Sequence, residues 1–369
     1  MKKDEVVTTE GPALGSDPFL QGDGTLPYLL RLREASLRVV AEARPQPHER
    51  LQTRDRDGEL SSEPPDLGPP IPELPSFDDR DESAGALDRL AGWLLTRADD
   101  DRLAQLFARL DGRPYDEFGM SPRVARRALA FFKLLYKYWF RVESSGHAAI
   151  PEKEGAILAA NHGGLLPFDA SMVVADGILA ARPPRLIRTV VDRWAGSIPF
   201  VNVFYARVGQ VIGSRDNVRE MLGARQLVLI FPEGMAGIRK RAADRYVLQS
   251  FHLGFVEESL RHRVPIIPVA IVGADDQAPI LWDAQPLAKL FGLPFFPITP
   301  TFPLFGLLGL LPYPVRYEIA YGEPFRFHEE FPPETADDPH AVRYMAEQVR
   351  RRIQEMVDQR VIARRTKRT

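Results

Sequence analysis

Residues 156–169 read AILAANHGGLLPFD, and the fold follows from this stretch. Ala156–Ala160 is an unbroken run of small and aliphatic residues with no polar alternation, the pattern of a strand covered on both faces. Gly163 and Gly164 let the backbone turn tightly or approach another group closely. Residues 170–179 (ASMVVADGIL) then read as a helix. A buried strand, a glycine loop and a helix make one unit of an α/β sheet. In such sheets ligands bind beyond the carboxyl ends of the strands, which is where His162 stands.

Downstream the alternation repeats. LIRTVV (186–191) reads as a strand, 208–212 as another short one, and 217–222 as a helix. LVLIF (227–231) and PIIPVAIV (265–272) are strongly apolar β-type runs, and VRYEIAY (315–321) alternates like a strand with one wet face. These elements predict an α/β fold with a mostly parallel central sheet flanked by helices. A last helix at about 341–361 is rich in Arg and runs into the basic tail RVIARRTKRT.

Upstream, residues 61–75 (SSEPPDLGPPIPELP) and the acids that follow bury little apolar surface. Residues 1–83 are therefore expected to form a disordered Pro- and acid-rich tail. One amphipathic patch inside it, PYLLRLREASLRVVAEA (27–43), fits either a docking helix or a transient one. From 84 to 110 leucines at spacings of three and four predict one or two short helices. Residues 122–142 (PRVARRALAFFKLLYKYWFRV) predict a longer one, with Ser121 as N-cap and Pro122 in the first turn. Its six cations, Arg123, Arg126, Arg127, Lys133, Lys137 and Arg141, share one stripe beside bulky aromatics. That stripe suits an anionic membrane surface, and it also suits a core helix with one solvated basic face. The chain thus divides into the tail (1–83), a helical membrane-interface region (84–145), an α/β domain (146–330), and a C-terminal helix with basic tail (331–369).

Composition narrows the function. Net charge is −2, which argues against a nucleic-acid binder. With no cysteine, disulfides, thiolate metal sites and cysteine nucleophiles are excluded. The N-terminus MKKDEVVTTE lacks an apolar signal region. No helix-competent apolar run spans a bilayer. Residues 290–315 carry no charge, but Pro294, Pro297, Pro300 and Pro303 recur every third residue and favour extended backbone.

Asp169 opens the helix after the His162 loop, where a carboxylate can orient an imidazole as in a histidine-containing triad. A neutral histidine held in that way is a competent base near pH 7. A structural histidine is the plainer reading. Phe231-Pro232-Glu233-Gly234 ends the LVLIF strand; Glu233 there holds a loop, binds a substrate hydroxyl, or marks an ordinary turn. Arg215, after the 208–212 strand, suits a phosphate grip or a surface pair with Asp216.

Together, Asn161-His162…Asp169, Gly209…Arg215, Phe231-Pro232-Glu233-Gly234 and Val264-Pro265-Ile266-Ile267-Pro268-Val269 resemble, in order, the four motif blocks of the glycerolipid acyltransferase family. That family includes lysophosphatidic acid and glycerol-3-phosphate acyltransferases. Six residues separate His162 from Asp169 where the family commonly has four, and Met235 stands where a hydroxyl residue is frequent. The resemblance covers about residues 146–325. It implies acyl transfer from acyl-CoA or acyl carrier protein to the hydroxyl of a lysophospholipid such as 1-acylglycerol-3-phosphate; the alternatives are another lipid acceptor (diacylglycerol, a long-chain alcohol or an aminolipid) or a non-catalytic lipid-binding protein on the same fold. His162 would act as base and Asp169 as its partner. Arg215, Glu233, Gly234, Gly163 and Gly164 would bind substrate, the two glycine N–H groups serving the oxyanion. No metal or other cofactor is implied. The implied partners are a lipid acceptor, an acyl thioester and an anionic membrane, at whose cytoplasmic face the protein would sit as a peripheral or monotopic protein.

Overall fold

The computed structural model describes residues 85–192, 200–290 and 293–366. The expected N-terminal tail and the amphipathic patch at 27–43 lie outside the described residues.

Two short helices come first, α1 (Ala86–Leu94) and α2 (Arg97–Phe107). Thr96 starts α2 with a capping box, its side chain exchanging hydrogen bonds with Asp99. Helix α3 (Pro122–Leu134) begins at the Ser121 cap and continues as a π-turn, Leu135–Trp139. There follow β1 (Glu143–Ser145), β2 (Ala156–Ala160), α4 (Phe168–Leu179), β3 (Ile187–Val191), α5 (Val201–Arg207), β4 (Val211–Ile212), α6 (Arg215–Gly223) and β5 (Leu227–Ile230). The chain ends with α7 (Gly254–His262), β6 (Ile266–Val272), β7 (Trp282–Asp283), β8 (Pro297–Ile298), β9 (Glu318–Tyr321) and α8 (Pro339–Thr366).

Seven strands form one sheet in the order β1-β9-β6-β2-β5-β3-β4. All neighbours pair in parallel except β6 and β9. Strand β2 lies in the middle, between β5 and β6, and every one of its five residues is buried. This is why AILAA shows no alternation: helices cover both faces of the sheet. Strand β6 carries Pro268, which lacks the N–H of a ladder residue. Its carbonyl still accepts from Gly322, just past the end of β9 (2.8 Å). Strands β7 and β8 form a separate antiparallel pair.

Helices α1 to α3 pack on α4 through Ala91, Leu95, Leu103, Leu129, Ala175 and Ile178. This packing corrects the reading of the basic stripe. Arg123 and Arg127 both bind Asp88 (2.8 and 2.6 Å), Arg126 binds Asp100 (2.7 Å), and Lys133 binds Asp99 (2.6 Å). Four of the six cations therefore face α1 and the start of α2, not lipid or open solvent. Hydrogen bonds from Arg127, then Arg123, hold the Asp88 carboxyl well below its usual range.

The expected boundary at 145/146 also falls inside the fold. Strand β1 belongs to the sheet, and α3 shares a core with α4. The 208–212 strand is reduced to Val211–Ile212, because Gly209 turns with φ 87° and packs on Met120 and Arg188. Arg188 on β3 is fully buried; it pairs with Asp116 and donates to the Gly209 carbonyl (3.3 Å).

Candidate active site

Strand β2 ends at Ala160, and the chain leaves the sheet at its carboxyl edge. Asn161 anchors the exit: its amide donates to the Ile271 carbonyl (2.9 Å) and accepts from the Ile271 N–H (2.7 Å) on β6. His162 comes next. Its Nδ1 lies 2.5 Å from Asp169 Oδ2. Asp169 is fully buried in the first turn of α4, and its Oδ1 accepts from the Ala170 N–H (2.8 Å). The six intervening residues do not keep the two apart. Gly164 takes φ 81°, and the loop closes with the Phe168 N–H on the Leu166 carbonyl (2.7 Å).

The His162 ring stacks on Phe231, at the end of β5, with centroids 4.0 Å apart and planes 20° from parallel. Gly237, in the short helix Met235–Ile238, approaches from another side. A Cβ there would stand 2.8 Å from His162 Cβ, so only glycine fits.

Glu233 is buried beneath this loop. Its Oε1 accepts from the His162 backbone N–H (2.9 Å) and its Oε2 from the Gln249 N–H (2.7 Å). Of the roles open to it, the structure places it in loop support. Lys240 Nζ lies 3.7 Å from Glu233 Oε2 and 3.4 Å from Asp275 Oδ2, all three residues being buried. Burial pushes the Asp275 carboxyl up, against the pull of the Lys240 charge. Asp275 also packs on Gly163, and Gln277 packs on Gly164 while donating to the Leu166 carbonyl (3.3 Å). Tyr317, fully buried, donates to Gln277 Oε1 (2.8 Å). Lys240, Asp275, Gln277, Gly237 and Tyr317 escaped the sequence reading. They lie far from the four blocks or between them, and no local pattern marks them.

Three residues expected at the substrate make contacts within the protein. The Gly163 N–H donates to Asp169 Oδ2 (3.1 Å), so it is engaged with the carboxylate and not aimed at an oxyanion. Gly234 takes φ 53° and starts the Met235–Ile238 helix, beside His252. Arg215 opens α6 instead of sitting in a loop; it is 61% exposed and binds Glu257 (2.9 Å).

His162 faces a cavity of about 360 Å³. Leu129 and Phe132 from α3, Val174 and Ile178 from α4, and Phe204 and Phe231 are among its walls. Among the described residues, no Lys or Arg lines it. With Nδ1–H given to Asp169, the neutral imidazole carries its lone pair on Nε2. The arrangement is therefore a fixed base at an apolar cavity, suited to deprotonating a hydroxyl next to a hydrocarbon chain. Among the described residues no group of His, Asp and Glu is placed to hold a metal ion.

The model of the Acyltransferase family matches residues 141–272, which run from just before β1 through β6. An uncharacterized protein of Mycobacterium leprae is 38% identical over 255 residues, 68% of each chain. One of Mycobacterium tuberculosis H37Rv is 36% identical over 289 residues, 73% of this chain and 78% of that one. A structural similarity exists to the 1-acyl-sn-glycerophosphate acyltransferase PlsC of Thermotoga maritima, at 20% identity and TM-score 0.42. It covers 63% of this chain and 80% of that one. The chain belongs to the acyltransferase family. The resemblance drawn from its four motif blocks stands.

Proposed function

We propose that this protein transfers a fatty acyl group from a thioester, acyl-CoA or acyl carrier protein, to the hydroxyl of a lysophospholipid, with 1-acylglycerol-3-phosphate as the leading acceptor. The observation that carries the reading is the His162–Asp169 pair set in the wall of an apolar cavity. The acceptor oxygen attacks the thioester carbonyl carbon while His162 Nε2 takes its proton. The tetrahedral adduct collapses, the C–S bond breaks, and the thiolate leaves and recovers the proton. General-base help of this kind is worth about 10²–10⁴ in rate. A thiol with a pKa of about 8.5 is a good leaving group without a dedicated acid. The scheme requires no metal and no covalent enzyme intermediate.

Asp169 holds the tautomer, and Glu233 holds the His162 backbone. Arg215, at the start of α6, is the candidate for a phosphate outside the cavity, and reaching one means leaving Glu257. A second reading has an observation of its own. The described cavity wall lacks a cation, which suits an uncharged acceptor such as diacylglycerol or a long-chain alcohol. On either reading the protein works peripherally at the cytoplasmic face of a membrane.

The test is release of free thiol from oleoyl-CoA with and without each acceptor. The absence of cysteine from the chain keeps the readout clean. We expect release that depends on lysophosphatidic acid and collapses in His162→Ala. Release with the alcohol or diacylglycerol alone selects the second reading. Release without any acceptor makes the protein a thioesterase and sinks both.

A further inference from the structure

We propose that the loop from Thr299 to Leu311, with Trp139 at its base, is the surface by which this protein lies on an anionic bilayer. The inference takes its purpose from the lipid-substrate reading above, but its geometry is independent of it. Among the described residues 22 large apolar side chains are exposed, and ten of them fall between Leu281 and Leu311. Five sit within eight residues: Leu304 (78% exposed), Phe305, Leu307 (80%), Leu308 and Leu311. A contiguous patch of this kind marks an interaction site.

The loop is held in shape. The Phe305 N–H donates to the Thr301 carbonyl (2.9 Å), Gly306 to Pro303 (2.8 Å), and the Thr301 hydroxyl to the Gly309 carbonyl (2.8 Å). Gly309 lies so close to Thr301 that a Cβ would stand 2.4 Å from its carbonyl oxygen. The loop thus pairs part of its own backbone internally while the leucines are exposed. Such internal pairing lowers the cost of entering a medium with no hydrogen-bonding solvent.

Charge and polarity favour lipid over a protein partner. From Leu290 to Val315 the sequence carries no charged residue. At the base of the loop the Trp139 indole donates to the Pro312 carbonyl (3.1 Å), beside exposed Tyr138. Arg141 donates to the Pro314 carbonyl (3.1 Å), and Lys137 stands on the same π-turn as Trp139. Glu143, the next acid along the chain, lies 3.5 Å from Arg316. An uncharged apolar tip, then Trp and Tyr, then Lys and Arg is the layering of a bilayer interface with anionic headgroups. Phe295, at the start of the same segment, lines the His162 cavity, so the surface that meets lipid is joined to the site that would use it.

The test is flotation of the full chain with phosphatidylcholine vesicles containing phosphatidylglycerol. Wild type is compared with the double variant Leu307→Gln/Leu308→Gln, whose side chains pack in no core. Wild type should float, and the double variant should lose about tenfold or more in partitioning. Its transfer from a short-chain, water-soluble thioester should be unchanged. Equal flotation of the two proteins, or wild type remaining at the bottom, overturns the proposal. A dimer that the same substitutions dissociate, with no vesicle binding, assigns the patch to a second copy and also overturns it. Flotation as expected with no acyl transfer to any acceptor leaves the surface standing and rejects the functional reading alone.

Discussion

At the start of α4, Asp169 meets His162 Nδ1 at 2.5 Å; further along the same helix, Asp176 meets His147 Nε2 at 2.9 Å. Seven residues is about two turns, so both carboxylates lie on one side of the helix, and both are fully buried. Their surroundings differ. Asp176 also accepts from the Tyr136 and Tyr321 hydroxyls (2.7 and 2.8 Å), and His147 leans on the Tyr321 ring at 5.3 Å. Burial and the Asp176 charge push both tyrosines well above their usual range. That cluster is closed on itself and absent from the cavity wall. His162 keeps its second nitrogen for the cavity. A histidine–aspartate pair therefore signifies nothing by itself; what the other nitrogen faces decides between scaffold and chemistry.

Substitutions at the two pairs should separate these roles. His162→Ala should lower kcat by about 10²–10⁴, with a stability loss of about 1–3 kcal/mol because Asp169, equally buried, loses its side-chain partner. His147→Ala should cost a similar amount, about 1–3 kcal/mol for one lost partner to a buried carboxylate, but leave activity within a few-fold of wild type. Activity assays and urea midpoints measured on both variants check this, and a large kcat loss in His147→Ala would break the comparison. Asp169→Asn should cost less than removing the base but still roughly 10² in kcat, because the amide favours the wrong tautomer.

The smallest expected effect is in pH. The hydrogen bond that the His147 ring donates to Asp176 raises His147 above its ordinary value, against burial. A raised folded pKa contributes stability that is fully present below about 6.5, the unfolded histidine value, and lost as pH rises through the folded value. Wild type should therefore lose stability on going alkaline through that window, and His147→Gln should lack the slope. Asp176 acts in the opposite sense. Burial alone would raise it, but hydrogen bonds from His147, Ser144, Tyr136 and Tyr321 win and lower it. Its contribution is present above about 3.9 and fades as pH falls through its lowered value. Urea titrations across both ranges read the two slopes.

The central strands were legible because burial on both faces leaves a continuous apolar run: AILAA matches β2 residue for residue, and β5 and β6 nearly so. Strands β1 (ESS), β7 (WD) and β8 (PI) were not, since two or three residues carry no period and exist only through their partners. The basic stripe was seen but its counterions were not. Asp88, Asp99 and Asp100 lie 26 to 39 residues upstream, and periodicity within one helix says nothing of what docks on it. At the site, His162 and Glu233 were named because each follows a strand end, and Asp169 because it opens the next helix. Whether Glu233 touches substrate or backbone depended on the position of Gln249 and the His162 N–H, which no motif records.

Helix α4 has a consequence beyond either pair. Its first turn holds the base, and its far end is pinned by three hydrogen bonds to Asp176 from His147, Tyr136 and Tyr321. The residues that make those bonds come from the π-turn, the segment after β1, and β9. The helix is thus a strut fixed at both ends: sliding it by a fraction of a turn to retract Asp169 would shear three bonds in the interior. The alignment of the imidazole is therefore set in part by residues that lie outside the cavity wall.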